Sequence, residues 1–217
     1  MPVVKKRAFK EFGFKNSKVT PIVDQIELYV RLGTSDCMSS KGQDGKGVVE
    51  EVFYKNQYEH FRLLYFFEPG DVLLDAGANI GTATARQLAV GGRVYAYEPE
   101  PENYQMLVKN IRDLNPAFTV DKYELHQKGV HAESGPQTLN YCKHDPSRKY
   151  NSKYRHSVVI DHGSGKSVPI ECVGIEDLLL RVHPDVNAIK VDIEGPEVPI
   201  MEVLTPAMCV NVNKMVV

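Results

Sequence analysis

The sequence has no long apolar run and no closely spaced cysteines. No stretch reaches the roughly 18 apolar residues that a membrane-spanning helix needs, and no segment resembles a signal peptide. Cys37, Cys142, Cys172 and Cys209 lie far apart, without a CxxC pair or a Cys/His ligand spacing. They indicate reduced thiols in a cytoplasmic protein, and argue against a disulfide framework or a cysteine zinc site.

The sequence also has no strong excess of either charge. Its 217 residues include 26 Lys+Arg and 28 Asp+Glu, a net charge of −2. Nucleic acid is therefore not an expected partner. Residues 1–20 are the exception, because they include six basic residues and a single acidic residue, Glu11. We expect a basic, flexible N-terminal segment, with a targeting or anion-binding arm as the alternative.

The pattern of apolar residues predicts a lead-in over residues 21–70 and a main domain over residues 71–217. The lead-in would pack on the core as a short strand/helix extension, with a strand at 26–32, a polar loop at 33–47 and partly helical structure at 48–67. In the main domain, strands and helices alternate. This alternation predicts an α/β fold with a doubly wound, mostly parallel sheet. The expected strands are 72–75, 93–98, 123–130, 168–173, 188–193 and 214–217, and the expected helices are 81–90, 101–114 and 175–182. Because the chain ends within an apolar strand, we expect the domain to be incomplete at its C-terminus.

The stretch "DAGANIG" is typical of a nucleotide-type cofactor turn. Asp75 ends a strand, Gly77 and Gly81 lie on the turn, and Glu98 ends the next strand, where an acid can bind ribose hydroxyls. A dinucleotide turn would read GxGxxG, but Asn79 takes the place of the second glycine. A carboxylate beside the turn suits the cationic S-adenosyl-L-methionine better than a pyrophosphate. The alternative is a strand–turn–helix whose glycines have only a structural role.

The stretch "IKVDIEGPE" sets Lys190, Asp192 and Glu194 on one face of a predicted strand. Asp192 or Glu194 could act as a general base on an alcohol, with Lys190 orienting the carboxylate. The same carboxylates could instead bind a divalent metal that lowers the pKa of the alcohol. A third reading is a Lys–carboxylate pair that only fixes the end of the strand. The sequence does not assign a metal site.

Other candidates have weaker support. The polar and aromatic insert at 141–157 could hold a sugar or form a surface loop, and His156 within it is an alternative base. The remaining histidines are scattered, with no convincing ligand spacing. They are His126, His131, His144, His162 and His183.

Three blocks, "LLDAGANIGTATA", "VYAYEPEPENYQMLVKNI" and "IKVDIEGPEVPIM", resemble the FkbM family of S-adenosylmethionine-dependent methyltransferases. The resemblance covers roughly residues 26–204. It implies a class I, Rossmann-like methyltransferase fold, S-adenosyl-L-methionine as cofactor, and O-methylation of a hydroxyl on a sugar, glycan or secondary metabolite. Two alternatives are a non-catalytic cofactor-binding fragment and, with less support, a nucleic-acid methyltransferase. This sequence lacks the Asn/Asp-Pro-Pro-aromatic motif that would form the base pocket of a nucleic-acid methyltransferase.

Overall fold

The structure, a computed structural model, describes residues 3–8, 26–31, 66–142, 156–158, 163–193 and 195–217. The strands in these ranges are β1 Val3–Ala8, β2 Ile26–Arg31, β3 Val72–Ala76, β4 Arg93–Tyr97, β5 Tyr123–His126, β6 Gly129–His131, β7 Gly135–Cys142, β8 His156–Ser157, β9 Gly163–Gly174, β10 Ala188–Val191 and β11 Lys214–Val216. The helices are α1 Thr82–Ala89, α2 Pro101–Val108, α3 Ile175–Asp177 and α4 Glu197–Val203. Two π-helical turns, Lys109–Asp113 and Leu178–Val182, extend α2 and α3, and Val120–Lys122 form a 3₁₀ turn.

The central sheet has five parallel strands in the order β11-β10-β3-β4-β5. Its inner strands are buried on both faces, which is why they read in the sequence as continuous apolar runs. The chain runs outward from β3 through β4 to β5 and then returns to place β10 on the other side of β3. This reversal confirms the doubly wound α/β fold. It also places the expected ligand crevice beyond the carboxyl ends of β3 and β10.

Helices cover both faces of this sheet. One face packs against α1 and α2 through a cluster that includes Leu73, Val94 and Leu107. The other packs against α3 and its π-helical extension, through Leu74, Tyr95 and Leu178 among others. Helices on both faces of a parallel sheet bury its inner strands, as an α/β fold requires.

Helix α2 begins where the sequence predicts. Pro101 stands at its first position, and the Glu100 side chain caps it by accepting a hydrogen bond from the Asn103 N–H at 2.7 Å. At its far end, Asn110 joins the helix to β2. Its side chain accepts from the Tyr29 N–H at 2.6 Å and donates to the carbonyl oxygens of Tyr29 and Ile80. Strand β2 is therefore held against the core by side-chain-to-backbone bonds.

A second sheet, in the order β6-β9-β7-β8, is mostly antiparallel. The sequence predicts little of it, because the stretch 135–142 is mostly polar. The predicted strand 123–130 was wrong as one element, since β5 belongs to the central sheet and β6 to the second sheet. The predicted strand 168–173 is the end of the longer β9. Strand β9 pairs with β7 on one side and β6 on the other.

The N-terminal expectation needs one correction. Residues 3–8, which composition places in a flexible segment, form β1 and pair with β2 in antiparallel register from Val3 to Ala8. The rest of the basic segment lies outside the described residues, as do the predicted loop at 33–47 and the predicted partly helical stretch up to residue 65. Where the structure describes helices, none has the length and apolar character that crossing a bilayer would require.

Candidate active site

A buried ion pair lies at the base of the crevice. Asp75 has no exposed surface, and Lys190 faces it across the β3–β10 register. The Lys190 Nζ donates to the Asp75 Oδ1 at 3.0 Å, and the Thr84 hydroxyl donates to Oδ2 at 2.7 Å. Buried charges of this kind need such partners. The structure thus places Asp75 beneath the turn and joins it to β10 and α1.

Lys190 also holds the glycine turn. Its Nζ donates to the Gly77 carbonyl oxygen at 2.9 Å and lies 4.0 Å from the Asp192 Oδ2. Its short bonds are to Asp75 and the turn. The separation from the Asp192 carboxylate is longer than either of these bonds. The structure favours a positioning role for Lys190 at the junction of β3 and β10.

Gly77 is required by close packing between the turn and β10. Its φ is 78°, and a Cβ at this position would lie 2.0 Å from the Asp192 carbonyl oxygen. Any side chain here would force β10 and the turn apart. The close approach that requires a glycine here is therefore to the protein's own backbone at Asp192. Gly81, with a φ of 89°, is similarly packed against Leu107.

Glu98 lies beside this turn, immediately after β4, and is only 5% exposed. Its Oε2 accepts from the Asn79 N–H at 2.8 Å, and its Oε1 accepts from the Glu100 N–H at 2.9 Å. Burial raises the pKa of Glu98 to about 7, against the opposing effect of these two amides. The structure therefore brings together the two features, glycine turn and strand-end acid, that the sequence analysis assigns to one cofactor site.

The Asn79 side chain provides a second feature of the place where the glycine turn meets Glu98. Its Oδ1 is buried and has no hydrogen-bond partner among the described residues. The backbone of Asn79 has a φ of 53°, an uncommon value that asparagine tolerates. Because buried polar atoms are almost always paired, this amide oxygen is suited to accept a hydrogen bond from a ligand.

Glu100 and Tyr141 form a buried contact beside Glu98 that the sequence does not predict. The Tyr141 hydroxyl, on β7, donates to the Glu100 Oε1 at 3.0 Å, and both residues are buried. Burial beside this carboxylate raises the pKa of Tyr141 well above its usual range. The contact joins the second sheet to the start of α2, next to Glu98. The sequence indicates that a helix begins near Glu100, but it does not indicate that Tyr141, 41 residues later, bonds to the Glu100 side chain.

The loop after β10 carries the other predicted residues. Asp192 follows the strand directly, its N–H donates to the Ala76 carbonyl at 3.1 Å, and its side chain is 51% exposed. Glu194 lies outside the described residues. Glu197, which the sequence analysis left without a role, accepts from the N–H groups of Ile193 and Gly195 at 3.1 and 2.5 Å. Asp192 is thus an accessible carboxylate beside the turn, whereas Glu197 holds the loop.

A separate cluster forms on the face of the sheet near its β5 edge. The histidines have no convincing ligand spacing along the sequence, but the fold brings His126 and His183 close together. Potential ligand atoms of Glu124, His126 and His183 all lie within 4.8 Å of one another. Burial lowers the pKa of both imidazoles, that of His183 to about 4, so both are neutral at pH 7. His156 lies elsewhere, paired with Tyr141 between β8 and β7.

The chain is similar to proteins that are described as methyltransferases. A family model described as the methyltransferase FkbM domain matches residues 75–210, more than half of the chain. The hexuronic acid methyltransferase AglP of Haloferax volcanii is 27% identical over 152 residues, which make up 67% of this chain and 55% of AglP. The crystal structure of methyltransferase FkbM from Methylobacillus flagellatus KT matches with a TM-score of 0.45 and 21% identity, covering 67% of this chain and 32% of that one. The chain therefore spans about half the length of the curated relative it matches.

Proposed function

This chain belongs to the methyltransferase FkbM family, and from that premise we propose that it methylates a sugar or glycan hydroxyl with S-adenosyl-L-methionine. The observation that carries the proposal is the Glu98 carboxylate, held against the Asn79 amide where doubly wound sheets bind their ligands. The sugar acceptor follows from the similarity to a hexuronic acid methyltransferase.

The corner formed by Asn79 and Glu98 fits the cofactor. Glu98 would accept hydrogen bonds from the ribose hydroxyls mainly through Oε2, which accepts the Asn79 N–H and keeps a further lone pair. Its Oε1 already accepts from the Glu100 N–H and, at 3.4 Å, from the Asn103 side-chain amide. The unpaired Asn79 Oδ1 would accept from a hydroxyl or amine of the same ligand. A dinucleotide fits less well, because an asparagine side chain occupies the place where its pyrophosphate requires a glycine.

Within this proposal, Asp192 removes the proton of the acceptor hydroxyl. The cofactor supplies a methyl group already activated by its sulfonium, so the protein must align the hydroxyl and accept its proton. The Asp192 carboxylate is exposed and lies beside the turn, with Lys190 4.0 Å away. Glu194 is the second candidate, and a divalent metal bound by these carboxylates is the alternative mechanism. Glu197 is a weaker candidate base, because each of its oxygens accepts a bond from an amide of its own loop.

The Glu98→Ala variant is expected to bind S-adenosylhomocysteine about 30- to 150-fold more weakly, about 2–3 kcal/mol, because two charge-assisted hydrogen bonds are lost. Calorimetric titration measures the dissociation constant, and circular dichroism checks the fold. Glu102→Ala is the matched control, since Glu102 lies close to Glu98 in the chain but is exposed, on the first turn of α2. Equal affinity of a folded Glu98→Ala variant and the wild type would remove Glu98 from the cofactor site.

Cofactor affinity is also expected to depend on pH. The pKa of Glu98 is raised to about 7, so the group is mostly protonated at pH 6 and mostly ionised at pH 8. Because the ribose hydroxyls donate to the carboxylate, affinity for S-adenosylhomocysteine should rise about tenfold between pH 6 and pH 8 and then level off. Titrations across this range test the prediction. The Glu98→Gln variant, which cannot ionise, should give a flat profile, and a flat wild-type profile would contradict the assignment.

The acceptor class is tested directly by transfer of a labelled methyl group to a panel of free and glycan-linked sugars that includes hexuronic acids. A hexuronic acid offers both hydroxyls and a carboxylate, and only a methyl ester is cleaved by mild alkali. Alkali-stable label on a sugar supports hydroxyl methylation. Alkali-labile label would instead assign the reaction to the carboxylate, which has no proton for Asp192 to remove.

A further inference from the structure

The three side chains at the β5 edge are arranged as metal ligands. Glu124 and His126 are two positions apart on β5 and so point to the same face of the strand. His183, which precedes β10, reaches the same point above β4. We refer to Glu124, His126 and His183 as the edge cluster.

The edge cluster contains an unsatisfied nitrogen that lies close to a carboxylate. The His126 Nε2 is shielded from solvent and makes no hydrogen bond to any described residue, yet it lies 3.3 Å from the Glu124 Oε2. That spacing matches adjacent ligands of a tetrahedral ion whose bonds are about 2.0–2.1 Å long. Small side-chain rotations would bring the third ligand atom, already within 4.8 Å, into the same shell.

Two tyrosines hold the imidazoles in place. The His183 ring stacks on Tyr95 with ring centroids 3.5 Å apart, and the Tyr97 hydroxyl lies 2.8 Å from the His183 Nε2. Tyr97 also stacks on His126 at 4.5 Å. A hydroxyl both donates and accepts, so Tyr97 can hold the His183 ring in either tautomer. Fixing the ring through its second nitrogen is a usual feature of histidine ligands.

We propose that Glu124, His126 and His183 bind one divalent transition metal ion, with Zn²⁺ as the best fit. Two imidazoles and one carboxylate form a donor set that zinc accepts, and softer ions would favour thiolates. The Glu124 side chain is 56% exposed, which gives the ion an entry path and leaves a fourth position for water. A simple contact between Glu124 and a neutral His126 on the edge strand is the competing explanation.

The ion would connect β5 to the segment that precedes β10. Those elements lie on opposite sides of β3 and β4 in the sheet order, so one ion would fasten the sheet across its face. The Glu98 N–H donates to the His126 carbonyl at 3.1 Å, so the ion would also steady the strand ends beside Glu98. This site is separate from Asp192 and Glu194, and it does not depend on the proposed methyl transfer.

The experiment titrates metal-free protein with Zn²⁺ by calorimetry and with Co²⁺ by absorption spectroscopy. The variants are Glu124→Gln and His126→Gln, and His131→Gln is the control, because His131 lies on β6 and outside the edge cluster. We expect one Zn²⁺ per chain, a higher melting temperature with Zn²⁺, and binding at least about tenfold weaker in both cluster variants. His131→Gln should bind as the wild type does.

Two results would overturn the proposal. One is the absence of stoichiometric Zn²⁺ binding to the folded wild-type protein. The other is binding that both cluster variants keep unchanged, above all if bound Co²⁺ shows thiolate charge-transfer absorption, which would assign the ion to cysteine. The melting temperatures of the metal-free variants establish that each is folded, since Glu124 is largely exposed and its replacement removes no core packing.

Discussion

Replacement of Lys190 by methionine is expected to lower the free energy of unfolding by about 3–5 kcal/mol. Methionine keeps most of the side-chain volume but leaves the Asp75 carboxylate, which has no exposed surface, without its cation. The Gly77 carbonyl oxygen loses its donor as well. Because small domains are stable by only about 5–15 kcal/mol, the loss should be plain in urea denaturation.

The control for this prediction is Lys128→Met, which removes a lysine from an exposed position. The double variant Lys190→Met with Asp75→Asn removes the buried charge too, and should recover part of the lost stability. Failure of Lys190→Met to fold, while the double variant and Lys128→Met do fold, would agree with the prediction. Equal stability of Lys190→Met and Lys128→Met would show that the pair does not support the fold.

The Asp192→Asn variant is expected to lose methyl transfer by about 10² or more while keeping affinity for S-adenosylhomocysteine. The amide preserves shape but cannot accept the proton of a hydroxyl. Glu194→Gln is tested in parallel, and Glu202→Gln, at an exposed position of α4, is the control. Turnover with a sugar acceptor is the measurement. Normal rates in both Asp192→Asn and Glu194→Gln would leave these carboxylates with a structural role and make His156 the next base to test.

Chelation distinguishes a general-base mechanism from a metal-assisted mechanism at Asp192 and Glu194. A base needs no ion, whereas a metal-assisted site should lose activity with EDTA and recover it with Mg²⁺ or Mn²⁺. The edge cluster complicates a simple experiment, since EDTA would also remove an ion bound there. Repeating the assay with Glu124→Gln removes this ambiguity, because any EDTA effect that persists must come from a different site.

The sequence predicts the central sheet well, for a physical reason. Strands buried on both faces are largely apolar, and β3, β4 and β10 are short, mostly apolar stretches in a chain that alternates strands with helices. The helix beginning at Pro101 carries its own start signal. The second sheet gives a weaker signal, because its strands mix polar and apolar residues and its pairing joins distant segments.

The candidate site was predictable only in part. The turn at Gly77 and the acid at Glu98 follow from local order along the chain, and the structure brings them together. The partner of Asp75 lies 115 residues away, and only the β3–β10 register shows that it is Lys190. The proximity of His126 and His183 could not be predicted for the same reason. They lie on different elements, and only the strand order shows that these elements bring them together.

The measurement that tests the central claim most directly is calorimetric titration of the wild-type protein with S-adenosylhomocysteine. The claim is that Glu98 and the turn at Gly77 form a cofactor site of the methyltransferase type. It predicts saturable heat at one ligand per chain, a higher melting temperature with ligand, and the loss of affinity described above in Glu98→Ala. A folded protein that gives neither heat nor a thermal shift would contradict the claim and favour a non-catalytic remnant of the family.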